Sequence, residues 1–353
     1  PTPSDPYTFV KWNGDDMLYI NMHVDDGSFV GTSVICKAEL KVLLADRYGE
    51  QMVFTERDAG ICSVETVTEP DSSISQNMTK YIQSFLHAAG MDDIPPALTP
   101  SIKEDGGFFS LSRGPTLCEK EHKQFMRNNG GMVHTLPVRY DVKMHVHHLC
   151  SKNQAPKESD MAKQIQLMRY LKAWPTLGPV FSADPASYPT GVTLYGASDS
   201  SHASHSEDGR SHSGYTIAVG GPLNTPFFVY SRVETGGIGI SPHDSEYMTV
   251  SRLARMILYF RQFATDLGFP QPDPTPLATD SQTSIDLTVA PAVSKHSRHV
   301  RQHHHFLRDL YQQKEIVPTH VGTHDIVPNG LTKTLGPTDF LYFRHQLFHP
   351  FRV

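Results

Sequence analysis

The sequence predicts an α/β protein, and the main observation is the order of its strand-like and helix-like patterns. Short runs rich in β-branched and aromatic residues alternate with turns over the first sixty residues. Helical spacing dominates residues 75–180. Beyond about residue 190, three strand patterns are followed by helix, strand, helix, strand and helix. That order is typical of a mixed sheet flanked by helices.

Length and composition limit the class of protein. The 353 residues predict about two domains, at roughly 100–200 residues per domain. The four cysteines form no CxxC pair, which argues against disulfide or zinc frameworks and favours buried, apolar roles. No apolar run reaches the ~20 residues that cross a bilayer, and no signal peptide opens the chain. We therefore expect an intracellular protein of unassigned compartment, without a membrane partner.

The charge balance bears on nucleic-acid binding. The chain has 31 basic and 37 acidic residues, a formal net charge of −6 with its 20 histidines neutral. Proteins that bind phosphate over a whole surface normally carry a basic excess. The composition therefore argues against such binding but leaves room for a local basic strip.

The elements of the first two thirds follow from apolar spacing. Residues 7–12 and 17–24 predict a β-hairpin, after which come Asp25 and Asp26. Helices are predicted at residues 36–48, 81–89, 125–136, 142–149 and 161–171. Pro175 and Gly178 then interrupt the pattern, which predicts a domain boundary near 180–190.

The last domain places three acids at the ends of elements. Asp199 ends a strand pattern, Glu246 lies in the first turns of a helix, and Asp280 follows a later strand. Parallel strands present their carboxyl ends at one edge of a sheet, where ligands bind. Acids there can hold two Mg²⁺ ions about 4 Å apart, which activate water and stabilise the leaving oxygen of a phosphodiester. Single acids at strand ends are usually solvated, so the order and flanking residues carry the specificity.

Those flanking residues resemble the C-terminal part of a copia-type LTR-retrotransposon polyprotein, the end of a reverse transcriptase followed by RNase H. Residues 196–203 (GASDSSHA) resemble the family's GYSDADWA, and residues 209–215 (GRSHSGY) its RRSTSGY. Further matches lie at residues 244–248 (DSEYM), 280–285 (DSQTSI), 297–300 (SRHV), 305–309 (HFLRD) and 330–335 (GLTKTL). The resemblance implies an RNase H-like mixed sheet, with Asp199, Glu246 and Asp280 as catalytic, Mg²⁺-binding residues.

The resemblance extends to the N-terminal part. Residues 23–26 (HVDD) stand where the family has YVDD, the hairpin that supplies the metal-binding aspartates of the polymerase, and residues 169–172 (RYLK) match a block just before RNase H. It implies three regions: a truncated reverse-transcriptase palm remnant (1–75), a mostly helical thumb/connection-like region (76–185) and an RNase H-like domain (186–353).

Three departures bear on activity. The family's polymerase needs a further aspartate well upstream of YVDD, so we do not expect this chain alone to polymerise, and we interpret Asp25 and Asp26 as vestigial metal ligands. His23 replaces the hairpin tyrosine. Asn329 stands where RNase H has a fourth acid, and an amide binds a hard cation more weakly than a carboxylate. Asp325 could substitute only if its loop were rearranged.

A histidine-rich segment over residues 296–305 raises the alternative of a metal site. The family already has histidines at positions 299 and 305, so we favour a solvated, mildly basic helix. Such a helix could contact phosphates. Its candidate nucleic-acid-binding residues are Arg298, His299, Arg301 and Arg308.

Three functions remain open at this point. The first is a retrotransposon-derived fragment with weak Mg²⁺-dependent cleavage of RNA in RNA–DNA hybrids. The second is a co-opted, catalytically dead subunit that binds RNA or protein subunits in a larger ribonucleoprotein assembly. The third is a piece of an intact polyprotein whose polymerase is active. They share a fold, so fold alone does not separate them.

Overall fold

The fold was analysed in a computed structural model. It describes residues 1–24, 26–49, 53–55, 60–101, 108–204, 209–234, 241–290 and 301–348, without the side chains of 301–304.

The chain opens with the predicted hairpin, extended by a third strand. The sheet order is β1-β2-β3, all antiparallel, with β1 at Thr8–Asn13, β2 at Asp16–His23 and β3 at Asp26–Gly31. Helix α1 (Val34–Tyr48) follows. The Ser33 side chain accepts a hydrogen bond from the backbone N–H of Cys36, which caps the start of the helix.

A second small sheet was not predicted. It contains β4 (Gly60–Ile61), β5 (Val64–Thr68), β6 (Ile74–Asn77) and β7 (Val180–Phe181), in that order and antiparallel. Strands of two to five residues leave little periodic signal. The pairing of β6 with β7 also joins segments about a hundred residues apart, which no local pattern indicates.

The middle of the chain is helical, as predicted. Its helices are α2 (Thr79–Ala88), α3 (Glu119–Thr135), α4 (Lys143–Ser151) and α5 (Glu158–Ala173). Their apolar faces share one core with the last helix of the chain, α9 (Pro337–Phe348). Phe343 and Leu347 of α9 are almost fully buried in that core. The helical region is therefore completed by the far end of the sequence.

A fully buried ion pair lies inside this helical region. Arg139 donates from Nε and Nη2 to the two carboxylate oxygens of Asp141, at 3.0 and 2.8 Å, and both side chains have no exposed surface. The Tyr170 hydroxyl donates to the same carboxylate at 2.5 Å, and Arg139 Nη1 donates to the Trp174 carbonyl at 2.8 Å. The network joins the 3₁₀ turn before α4 to the end of α5.

The C-terminal sheet has the predicted order of elements. Its described strands are β8 (Leu194–Ser201), β9 (His212–Val219), β10 (Pro226–Val233), β11 (Thr275–Thr279) and β12 (Ile316–His320). They lie in the order β10-β9-β8-β11-β12; β8, β9 and β10 are antiparallel, whereas β11 is parallel to both β8 and β12. Helices α6 (Pro242–Asp266), α7 (Gln282–Val289) and α8 (Arg301–Gln312) complete the domain. The predicted α/β class with a mixed sheet is confirmed.

Helix α4 covers the outer strand of this sheet. Lys143 Nζ donates to the Val229 carbonyl and His147 Nδ1 hydrogen-bonds the Ser231 carbonyl, both at 2.5 Å, and both acceptors lie on β10. Burial lowers the pKa of Lys143 to about 8. An uncovered edge strand leaves backbone groups open to pairing with other chains, and here two side chains occupy them.

The structure shows the state of the four cysteines and the character of the helices. All four cysteines are free in the structure. The expectation that they are buried is wrong for Cys62 and Cys118, which are exposed. Among the described residues, no helix combines the length and apolar character that crossing a membrane requires.

The buried ion pair gives a stability prediction. Asp141→Asn leaves the Arg139 charge uncompensated in the core, so we expect the free energy of unfolding to fall by about 3–5 kcal/mol. Urea unfolding of the variant and the wild type measures this. Glu119→Gln removes the exposed Lys123–Glu119 pair on α3 and should change little. Equal, small effects of the two substitutions would contradict the role given to the buried pair.

Candidate metal centre

The sheet brings the three predicted acids together. Asp199 lies near the carboxyl end of β8, and Asp280 directly follows the parallel strand β11, so both reach the same edge. Glu246 is in the first turns of α6, which packs against β8. One carboxylate oxygen from each of the three lies within 4.8 Å of the others. Among the described residues, this is the sole group of three or more potential ligands.

Burial and mutual repulsion change the acidity of this acidic triad, Asp199, Glu246 and Asp280. Asp199 is 2% exposed, and its burial raises its pKa to about 6. Burial, followed by repulsion from the other two carboxylates, raises the pKa of Glu246 to about 8. At neutral pH and without a cation, the Glu246 carboxyl is therefore mostly protonated.

Neighbouring groups hold the triad in place. The Thr332 hydroxyl donates to Asp199 Oδ2, and Lys333 Nζ lies 3.9 Å from the same oxygen. Both lower the pKa of Asp199, although less than burial raises it. The Thr323 hydroxyl donates to Asp280 Oδ2 at 2.7 Å.

The triad fits a hard divalent cation. It offers several carboxylate oxygens, the ligand type that Mg²⁺ and Mn²⁺ prefer. Glu246 Oε1 accepts a 3.3 Å hydrogen bond from the backbone N–H of Ser200, whereas its Oε2 is buried without a hydrogen-bond donor among the described residues. A buried acceptor without a donor is costly, and a cation would satisfy it.

Asn329 lies beside the triad on a different element. It is part of the 3₁₀ helix Val327–Leu331, and its carbonyl accepts a 3.1 Å hydrogen bond from the Thr332 hydroxyl that also contacts Asp199. Its side-chain Oδ1 is buried without a donor among the described residues, and other parts of the residue line a cavity beside α9. Asp325 is exposed and is not part of the triad.

The other predicted site residues are separate from the triad. Asp26 is exposed and pairs with His23 at the end of the β2–β3 hairpin, whereas Asp25 lies outside the described residues. Arg298 and His299 also lie outside them, and Arg301 is placed in α8 without a described side chain. Arg308 is partly buried on α8, where its guanidinium contacts His305 Nδ1 at 3.1 Å.

Sequence reasoning missed three groups that contact the triad. Thr332 and Lys333 belong to residues 330–335 (GLTKTL), which match a family motif. The motif marks them as candidate site residues, but it does not predict that they contact Asp199. Thr323 lies in a loop with no recognised motif. Only the fold shows that its hydroxyl reaches Asp280.

Comparison with known proteins gives homologues over nearly the whole chain. The retrovirus-related Pol polyproteins from transposons RE1 and RE2 of Arabidopsis thaliana are 23% and 22% identical over 350 and 347 residues, each covering 98% of this chain. The Pol polyprotein from transposon TNT 1-94 of Nicotiana tabacum is 22% identical over 352 residues, covering 96% of this chain. The chain spans 22–25% of the length of these relatives. The predicted relationship to copia-type Pol polyproteins is confirmed.

The chain was also compared with protein-family models and with solved structures. No protein-family model matches the chain. Among solved structures, RNase H1 of the halophilic archaeon Halobacterium salinarum NRC-1 matches with a TM-score of 0.27 and 18% identity, covering 37% of this chain and 86% of that one.

The raised pKa of Glu246 predicts a pH-dependent stability. Its carboxyl ionises near pH 4.5 when unfolded and near 8 when folded without a cation. The folded state therefore binds more protons between these values, and its stabilisation, complete below pH 4.5, is lost as the pH rises through 8. We expect the difference in unfolding free energy between wild type and Glu246→Gln to fall with pH by up to about 1.4 kcal/mol per unit.

Urea unfolding in EDTA between pH 5 and pH 8 measures this difference. Glu315→Gln serves as the control, because Glu315 is a partly buried carboxylate that pairs with Arg261 just before β12, at the end of the sheet opposite to Asp280. A difference that does not change with pH would contradict a buried, protonated Glu246.

Proposed function

We propose that this chain, a homologue of the copia-type Pol polyproteins, carries an RNase H-type site that hydrolyses the RNA strand of RNA–DNA hybrids with divalent cations. The observation that carries the proposal is the acidic triad, in which three separate elements bring three carboxylates within 4.8 Å. Acidic side chains are also buried for purely structural reasons, but they then form ion pairs with basic side chains. Among the described residues, the basic side chain within ion-pair distance of the triad is Lys333, whose Nζ lies 3.9 Å from Asp199 Oδ2 and whose side chain is 40% exposed.

Asp199, Glu246 and Asp280 would hold the cations, which we propose to be Mg²⁺. Bound there, Mg²⁺ would supply Lewis-acid chemistry, activating a water and stabilising the leaving oxygen of the phosphodiester. Thr332 and Thr323 orient Asp199 and Asp280 through their hydroxyls. Glu246 would be held there as a carboxylate, because a bound positive charge would oppose the burial and the repulsion from Asp199 and Asp280 that raise its pKa.

The three regions read from the sequence are part of the proposal: a palm remnant over 1–75, a thumb/connection-like region over 76–185 and an RNase H-like domain over 186–353. The nucleic-acid contacts proposed at Arg298, His299, Arg301 and Arg308 lie on or before α8. We propose no polymerase activity for this chain; the described Asp26 is exposed at a hairpin end and belongs to no group of three potential metal ligands among the described residues.

One observation favours a second function. Asn329 replaces an acid beside the triad, and the loss of a charge weakens the binding of a hard cation. A chain that folds but does not cleave would fit a co-opted subunit that binds RNA or protein within a ribonucleoprotein assembly.

Cleavage of a labelled RNA–DNA hybrid in Mg²⁺ and in Mn²⁺ tests the proposal. We expect the wild type to cut the RNA strand and Asp199→Asn to lose at least a hundredfold in rate, because the site then lacks one of three carboxylates. Asp286→Asn, on α7 away from the triad, is the control for a lost surface charge. Absence of cleavage with either metal, by a wild type that unfolds cooperatively, would reject the nuclease and favour the binding subunit.

The position of Asn329 gives a second prediction. Asn329→Asp adds a carboxylate beside the triad, so we expect half-maximal cleavage at a Mg²⁺ concentration about tenfold lower. Asp325→Asn, in the same loop but outside the triad, should leave the Mg²⁺ dependence unchanged. If Asn329→Asp does not shift the Mg²⁺ dependence, this residue does not occupy a fourth ligand position.

A further inference from the structure

A cavity of about 260 Å³ lies between the loop after β12 and helix α9. Aromatic rings form one side of it. His324 and Tyr342 lie with ring centroids 5.0 Å apart and planes inclined by 32°. The His324 side chain is 73% exposed, and Tyr342 is 42% exposed. The cavity therefore presents rings that are open to a ligand rather than packed in a core.

Two residues that line the cavity are linked to the acidic triad by hydrogen bonds. Thr323 lines the cavity and donates to Asp280. Asn329 also lines it, and Thr332 links the Asn329 carbonyl to Asp199. A molecule in the cavity would thus lie next to a nucleic-acid strand bound at the triad.

The polar groups of the cavity select the kind of ligand. Asp339 and Gln346 lie on α9 at its wall. A carboxylate beside the rings repels phosphate, and amide and carboxylate oxygens accept hydrogen bonds from N–H groups. A flat, neutral ring with amino or imino hydrogens satisfies both conditions. A nucleobase has that chemistry.

We propose that this cavity, which we name the base pocket, binds an unpaired base of the RNA strand beside the triad. The base would stack on His324 and Tyr342 and donate hydrogen bonds to the exposed carboxylate of Asp339. Only an unpaired base is available, since pairing occupies its polar edge and stacking within the duplex covers its faces. The proposal rests on the proposed function, because the triad defines which strand passes the pocket.

Binding in EDTA separates this pocket from the chemistry. The probes are two RNA–DNA hybrids, one fully paired and one with a single unpaired 2-aminopurine in the RNA strand, measured by fluorescence anisotropy. We expect the wild type to bind the second about tenfold more tightly, the amount typical of one base–aromatic stack, and to quench the 2-aminopurine on stacking. Tyr342→Ala should remove both effects, whereas Tyr342→Phe should keep them because the ring remains.

His324→Ala should remove part of the preference. The matched control is Tyr259→Ala, which deletes a similarly exposed tyrosine, 44% exposed on α6, and should change neither effect. Thermal unfolding of each variant checks that it is folded. A preference and quenching that persist in Tyr342→Ala and His324→Ala would overturn the base pocket while leaving hybrid binding intact. Binding of neither hybrid by the wild type in EDTA would also overturn the base pocket, whereas the proposed function is rejected separately, by absence of cleavage of the fully paired hybrid in Mg²⁺ and in Mn²⁺.

Discussion

The structure depends on how three carboxylates are kept together in a partly buried site. Their mutual repulsion and loss of solvation oppose folding, and the fold meets this constraint in two ways. Protonation of Glu246 removes one charge when no cation is present, and Lys333 offsets part of another at Asp199. The same arrangement that makes the empty site costly makes it suited to a divalent cation.

The strands and helices around the triad determine its geometry. The parallel pairing of β8 with β11 brings two of the acids to one edge, and α6 carries the third. The 3₁₀ helix and Thr332 then pack over β8 and β9, where Gly214 leaves room for Leu331 and Thr332. A Cβ at Gly214 would lie 2.8 Å from the Leu331 side chain, closer than real side chains approach. Close packing thus positions the threonine that orients Asp199.

The helical region and the C-terminal sheet are joined by side-chain hydrogen bonds and by the packing of α9. Lys143 and His147 occupy carbonyls of β10, and α9 completes the helical core after the chain has passed through the sheet. The core of the helical region therefore includes residues from both sides of the sequence boundary near 185. Interactions of this kind connect residues far apart in sequence.

Features that depend on local sequence could be predicted, whereas features that depend on contacts between distant residues could not. Apolar periodicity and turn residues were sufficient for the hairpin, helices α1 to α6 and the order of the C-terminal elements, because these signals are local. Asp199, Glu246 and Asp280 could be selected because each ends or begins an element within a recognisable motif. The short strands β4 to β7, the exposure of Cys62 and the contact of Thr323 with Asp280 depend on tertiary packing. No local pattern encodes them.

The most direct measurement is to locate bound cations at the triad. We would crystallise the chain with Mn²⁺ and record anomalous diffraction at a wavelength where manganese scatters strongly. We expect an anomalous peak between the carboxylates of Asp199, Glu246 and Asp280, and no such peak in Asp199→Asn at the same Mn²⁺ concentration. A wild-type crystal at saturating Mn²⁺ with no peak at the triad would contradict the claim that these residues form a metal centre.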